Sequence, residues 1–169
     1  MSDVISGELP QDLKNSWGTD KRLFNKLDAE FHFDIDLAAS EKNALCDRFY
    51  TSNFSALEQP WDLTGKVTCW CNPPYGRGFI KQFMQKAAKE RLKGVTTVML
   101  VPATLDAKWL PFSEISEIRI ITGGRLSFVH PITGKMVAGN TKGSMLVIFR
   151  PTNMPLSIRL VDRNELLSC

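Results

Sequence analysis

The stretch Lys66-Val67-Thr68-Cys69-Trp70-Cys71-Asn72-Pro73-Pro74-Tyr75-Gly76 decides how the chain is read. Its first half is apolar and β-prone, which predicts a buried strand over residues 67–71. The strand must stop at Asn72, because two prolines fix φ twice and remove two backbone donors. The prolines leave a stiff platform with an amide side chain and free carbonyls at its start and an aromatic ring at its end. Asn before Pro-Pro is also a common plain turn, so the flanking elements matter. Residues 79–92 have helical spacing, with Ile80, Phe83, Met84 and Ala87 on one face and Lys and Arg on the other. Gly94 ends that helix, and residues 95–102 form a continuous apolar strand of the kind buried on both faces of a parallel sheet. Strand, rigid turn, helix and strand together make a β-α-β unit.

Working outward, helical spacing covers residues 20–27, with Leu23, Phe24 and Leu27 on one face and Thr19 as N-cap. Residues 31–37 alternate like a strand, and residues 38–49 read as a helix capped by Ser40. Further strands are expected at 117–122, 125–129 and 144–150, with a short helix at 106–112. Residues 1–16 read as a loose lead-in, 17–151 as the main domain, and 152–169 as a tail or one more strand. The expected fold is α/β: a single Rossmann-like domain with a mostly parallel central sheet, helices on both faces and a C-terminal antiparallel hairpin. Ligands of such sheets bind at the carboxyl ends of the strands.

The chain has 169 residues, 43% apolar and 23% charged, which suits one soluble domain with a real core. A net charge of +3 neither demands nor excludes a local basic patch for nucleic acid. No signal-peptide pattern and no apolar run of membrane-crossing length is visible, so no membrane role is expected. Cys46, Cys69, Cys71 and Cys169 have no Cys-x-x-Cys spacing, and His32 and His130 lie far from them. No metal site is therefore expected, and reduced cytoplasmic thiols are the simple reading.

The Asn-Pro-Pro-Tyr turn suits chemistry at a planar nitrogen, whose lone pair is delocalised and poorly nucleophilic. The Asn72 side-chain oxygen can accept one hydrogen of an exocyclic amine, and the Pro73 carbonyl the other. Both bonds favour a pyramidal nitrogen and strengthen as positive charge develops. Pro74 stiffens the turn, and the Tyr75 ring can stack on a base swung out of a duplex. A second candidate site is Asp34-Ile35-Asp36-Leu37-Ala38-Ala39-Ser40. Its carboxylates can take ribose hydroxyls or face a positive sulfonium, and its small residues let a ligand approach the backbone. An Asp at a strand end is as often a cap or a solvated residue. No Gly-x-Gly-x-x-Gly motif is present.

Taken in order, several pieces carry a family likeness: Trp17-Gly18-Thr19, Asp34 to Ser40 with Asn43, Asn72 to Gly76, Val101-Pro102-Ala103 with Trp109, Gly124 to Phe128, and Gly143-Ser144. With these, the chain resembles the phage Dam-like family of DNA N6-adenine methyltransferases from about Trp17 to Pro151. The family often has proline where Asp20 follows Thr19. The resemblance implies a class I methyltransferase fold, S-adenosylmethionine as donor, and adenine in double-stranded DNA as acceptor, with direct methyl transfer to the flipped base. It places the donor near Trp17, Thr19, Asp34, Asp36, Ala38 and Asn72, and the target base at Asn72 to Tyr75. Arg125 is expected to position the substrate strand. Lys135, Asn140 and Lys142, in the long loop 130–143, are expected to contact DNA. The implied setting is the cytoplasm of a bacterial host, with a phage or prophage origin. Two rival readings stay open: a methyltransferase acting on an RNA base or a protein glutamine, and a non-catalytic DNA-binding module.

Overall fold

In the computed structural model, strand β2 (Thr68–Cys71) runs directly into the Asn-Pro-Pro-Tyr turn. The structure describes residues 17–63, 65–76 and 78–168; the expected lead-in over residues 1–16 lies outside them. Beyond the turn come helix α2 (Phe79–Glu90) and strand β3 (Thr96–Pro102). Helix α1 (Lys21–Phe31) and strand β1 (Ile35–Asp36) precede β2. After β3 come β4 (Glu117–Thr122), β5 (Phe128–Val129), β6 (Met136–Val137), β7 (Ser144–Phe149), β8 (Ser157–Asp162) and helix α3 (Arg163–Leu167).

The main sheet has the order β1-β2-β3-β7-β4-β8. Strands β1, β2 and β3 are parallel, as are β4 and β8, while β7 runs against both of its neighbours. The chain is thus mixed α/β with a mostly parallel central sheet. Strand β7 pairs with β4, Ile118 opposite Val147, but the chain between them folds into a separate hairpin, with Phe128 opposite Val137.

Side-chain alternation along the strands divides the core into two clusters. Cys69, Cys71, Met99, Val101, Met145, Val147 and Phe149 pack with Ile80, Phe83, Met84 and Ala87 of α2. Trp70, Val98, Leu100, Leu146 and Ile148 pack with Leu23, Phe24 and Leu27 of α1 and with Leu166 of α3. The backbone of α2 can start abruptly after the prolines because Gly78 adopts φ 77°, a region glycine enters without strain.

Four local expectations are corrected. The N-cap of α1 is Asp20, whose carboxylate accepts the Arg22 N–H at 2.9 Å; Thr19 is turned to another task described below. Helix α1 extends to Phe31, so strand β1 keeps only Ile35 and Asp36 of the expected 31–37. The helix expected over 38–49 does not form. The Asp36 carboxylate takes the Ala38 N–H at 3.2 Å and the Leu45 N–H at 3.2 Å, and the Asn43 side chain takes the Ser40 N–H at 2.7 Å. Short polar side chains here outcompete the helical ladder for backbone donors. Residues 106–112 likewise make turns, with a 3-10 turn at Phe112–Glu114.

At the amino end of β4, Glu117 is buried among guanidinium groups. It accepts from Arg119, from Arg150 at 3.1 Å and from Arg159 at 3.0 Å, and Arg119 also grips Glu30 through both nitrogens at 2.8 and 2.7 Å. Burial pushes the Glu117 carboxyl up, and these bonds overcome it and hold the group at about 2. Among the described residues, no helix is long and apolar enough to cross a membrane.

Candidate active site

Asn72 leaves the carboxyl end of β2 half-buried, and Pro73 is buried behind it. The Asn72 side-chain nitrogen donates to the Thr19 hydroxyl at 3.1 Å and to the Trp17 carbonyl at 3.3 Å. Those partners hold the nitrogen end of the amide, and among the described residues none takes the oxygen end.

Tyr75 is divided between two environments. Its hydroxyl reaches below the turn and donates to the Leu100 carbonyl at 3.2 Å, and burial there pushes the phenol well above its usual range. The residue as a whole stays 42% exposed, and its ring meets Phe128 edge-on, with centroids 6.5 Å apart. The buried hydroxyl fixes the ring, and the exposed face remains open for stacking.

Two cavities meet at Asn72. The first, about 400 Å³, is lined by Trp17, Asn72, Pro73, Tyr75 and Phe128, with Val137 at the end of β6 and residues 138–140 just after the β5–β6 hairpin also lining it. The second, about 290 Å³, lies between the 37–43 turns, Ser52, Ser55 and Leu57, and the start of α2 at Phe79 and Phe83. Trp17 and Asn72 line both. Both volumes are near the range of small-molecule sites.

The other expected site residues divide clearly. Ala38 lines the second cavity. Asp36, 3% exposed, lines a narrow recess of about 10 Å³ with Trp17, Thr19 and Asn72. Burial pushes its carboxyl up, and the two backbone N–H bonds limit the rise to about 6. Asp34 sits at the other end of β1, where it takes the Thr68 N–H at 2.8 Å, and it lines neither cavity. Asn140 lines the first cavity and donates to the Leu126 carbonyl at 2.9 Å. Lys142 lines an adjoining recess of about 120 Å³ beside Tyr75. Arg125 donates to the Asn140 carbonyl, so it braces the cavity wall from outside. Lys135 is exposed on the hairpin, away from both cavities. Among the described residues, no group of His, Cys, Asp and Glu side chains could hold a metal ion.

Sequence reading missed Ser55, Leu57, Phe79, Phe83, Phe128 and residues 137–139 as cavity walls. Phe83 carried only the signal of a core position on α2, which it also occupies. Ser55 caps a 3-10 turn, taking the Leu57 N–H at 3.2 Å, and that turn presents Leu57 to the cavity.

A family model described as DNA N-6-adenine-methyltransferase (Dam) matches residues 6–169. The chain belongs to the Dam family. A protein of Escherichia phage T1, named DNA N-6-adenine-methyltransferase, is 31% identical over 158 residues. That match spans 83% of this chain but 65% of the relative's own length. A protein of the same name from Haemophilus phage HP1 is 32% identical over 143 residues, spanning 82% of this chain and 80% of that one. The Dam match takes in every candidate residue named above, including the hairpin that walls the first cavity.

Proposed function

We propose that this chain transfers a methyl group from S-adenosylmethionine to the N6 amine of adenine in double-stranded DNA. The reading rests on Asn72, which stands at the junction of two cavities with its acceptor oxygen unclaimed among the described residues. The first cavity takes the adenine, swung out of the duplex, and the second takes the donor. The wider arrangement is then a single Rossmann-like class I domain with helices on both faces of the sheet. The two core clusters, one with α2 and one with α1 and α3, support that reading.

The second cavity fits the donor by chemistry. Ala38, Ala39 and Ser40 make one small-residue wall that admits a close ligand, while Leu57, Phe79 and Phe83 offer apolar surface to a flat ring. Asn43, Ser52 and Ser55 supply polar groups. When bound, the donor supplies an electrophilic methyl on a positively charged sulfur.

The rest is work for the chain's own groups. Tyr75 stacks on the flipped base, its ring held by the Leu100 carbonyl bond. The Asn72 oxygen accepts one N6 hydrogen and the Pro73 carbonyl the other. Both bonds draw the nitrogen towards a pyramidal form and strengthen as its positive charge grows. N6 gains the methyl as the sulfur–methyl bond breaks, and the amine then loses one proton. Lys142, beside Tyr75, and Lys135, on the exposed hairpin, are placed to meet phosphates, while Arg125 and Asn140 hold the wall between them.

Methyl-labelled S-adenosylmethionine offered with duplex DNA, structured RNA and denatured protein in parallel tests the substrate class. Label in DNA alone supports this reading. Label confined to RNA or protein overturns it in favour of another planar-nitrogen acceptor.

A further inference from the structure

We infer that Thr19 is a positioning residue for the reaction, acting through Asn72; the inference rests on the function proposed above. The two ends of a carboxamide are nearly equal in size, and a free amide can turn either towards a ligand. The wrong end would set an NH₂ donor against the target amine, which is itself a donor. Something must therefore fix the oxygen towards the first cavity.

Two bonds do so. The Trp17 carbonyl can only accept, so at 3.3 Å it favours the Asn72 nitrogen over the oxygen. The Thr19 hydroxyl, which can donate or accept, holds the nitrogen so placed through the shorter contact of 3.1 Å, and Thr19 is only 7% exposed, which leaves little room for water to replace it. The segment carrying these groups is itself held. Gly18 exchanges backbone bonds with Val129 of β5, 2.9 Å from its N–H and 2.8 Å to its carbonyl. The Trp17 ring meets His130 edge-on with centroids 5.0 Å apart. A Cβ on Gly18 would stand 3.1 Å from the Val129 Cβ, so the close approach favours glycine there.

The chain thus ties the hairpin wall of the first cavity to the catalytic amide through three consecutive residues. Thr19 belongs to neither large cavity, which separates this role from donor binding.

The test compares Thr19→Val and Thr19→Ser in the full chain. The valine variant keeps the shape and loses the hydroxyl, and it is expected to lose kcat roughly tenfold, the scale of one hydrogen bond. Its KM for DNA and its donor Kd by calorimetry stay within about twofold, since neither cavity wall changes. Serine restores kcat. The side-chain NH₂ resonance pair of Asn72, identified by its loss in Asn72→Ala, shifts in Thr19→Val and returns in Thr19→Ser. Thr19→Ala replaces the valine variant if the valine form does not fold. Unchanged kcat with an unchanged amide signal overturns the inference, as does a loss seen mainly in donor Kd. A wild type that methylates nothing would sink the functional reading instead, and the amide signal would still report on the Thr19 contact.

Discussion

Asp36 gives the sharpest prediction about pH. Its carboxyl is raised from the usual 3.8 to about 6, first by burial and against the pull of the Ala38 and Leu45 N–H bonds. A group whose folded pKa is raised stabilises the fold fully below its unfolded pKa, and that contribution is lost as pH rises through the folded value. Between 3.8 and about 6 the linkage gives on the order of 1 kcal/mol more stability at pH 5 than at pH 7. Glu117 acts oppositely, but its window lies between its ordinary 4.5 and about 2, so it contributes little change above pH 5. Urea unfolding followed by tryptophan fluorescence, at pH 5 and pH 7, measures the difference. Asp36→Asn isolates it, because the histidines titrate in both proteins. The expected result is a gap between wild type and variant that shifts by roughly 1 kcal/mol in favour of wild type on going from pH 7 to pH 5. A gap that does not move with pH would mean that Asp36 is not a strained buried carboxylate, and the account of the 37–45 turns would fail with it.

Three further outcomes follow from the geometry. Tyr75→Ala removes the stacking face and is expected to weaken DNA binding by about 1–3 kcal/mol, whereas Tyr75→Phe keeps the face and loses only about 1 kcal/mol of stability with the Leu100 bond; equal binding losses in filter-binding assays would contradict this. Ala38→Phe fills much of the second cavity and is expected to abolish donor binding in calorimetry while circular dichroism stays native. Glu117→Gln leaves Arg119 with Glu30 alone and takes the carboxylate from Arg150 and Arg159, which are partly exposed, and is expected to cost about 2 kcal/mol in urea unfolding. The rate per folded molecule should hold, because Glu117 lies at the amino end of its strand, away from both cavities.

The parts legible in the sequence were those written in local pattern. Strand β2, the proline turn, α2 and β3 follow from apolar runs and from φ restrictions that act within a few residues. The part of the first cavity lined by Asn72, Pro73 and Tyr75 was legible for the same reason, since Asn72 to Tyr75 are contiguous. The 38–49 segment was not, because its backbone bonds go to Asp36, Asn43 and Tyr50 rather than up a helix, and helical spacing alone does not register that competition. Asp34 and Asp36 looked equivalent as neighbouring acids, yet a two-residue strand separates them to opposite ends, one capping Thr68 and one buried beside Asn72. The second cavity joins Ala38, Ser55 and Phe79 from three stretches of chain, so only the folded sheet reveals it.

The most direct test of the central claim is nucleoside analysis by mass spectrometry. Unmethylated duplex DNA is incubated with S-adenosylmethionine and either wild type or Asn72→Ala, then digested. The account predicts N6-methyladenine from wild type and a loss of roughly 100-fold or more in the variant, the scale of removing one transition-state hydrogen bond, with donor binding retained. Wild-type levels of N6-methyladenine from Asn72→Ala would contradict it.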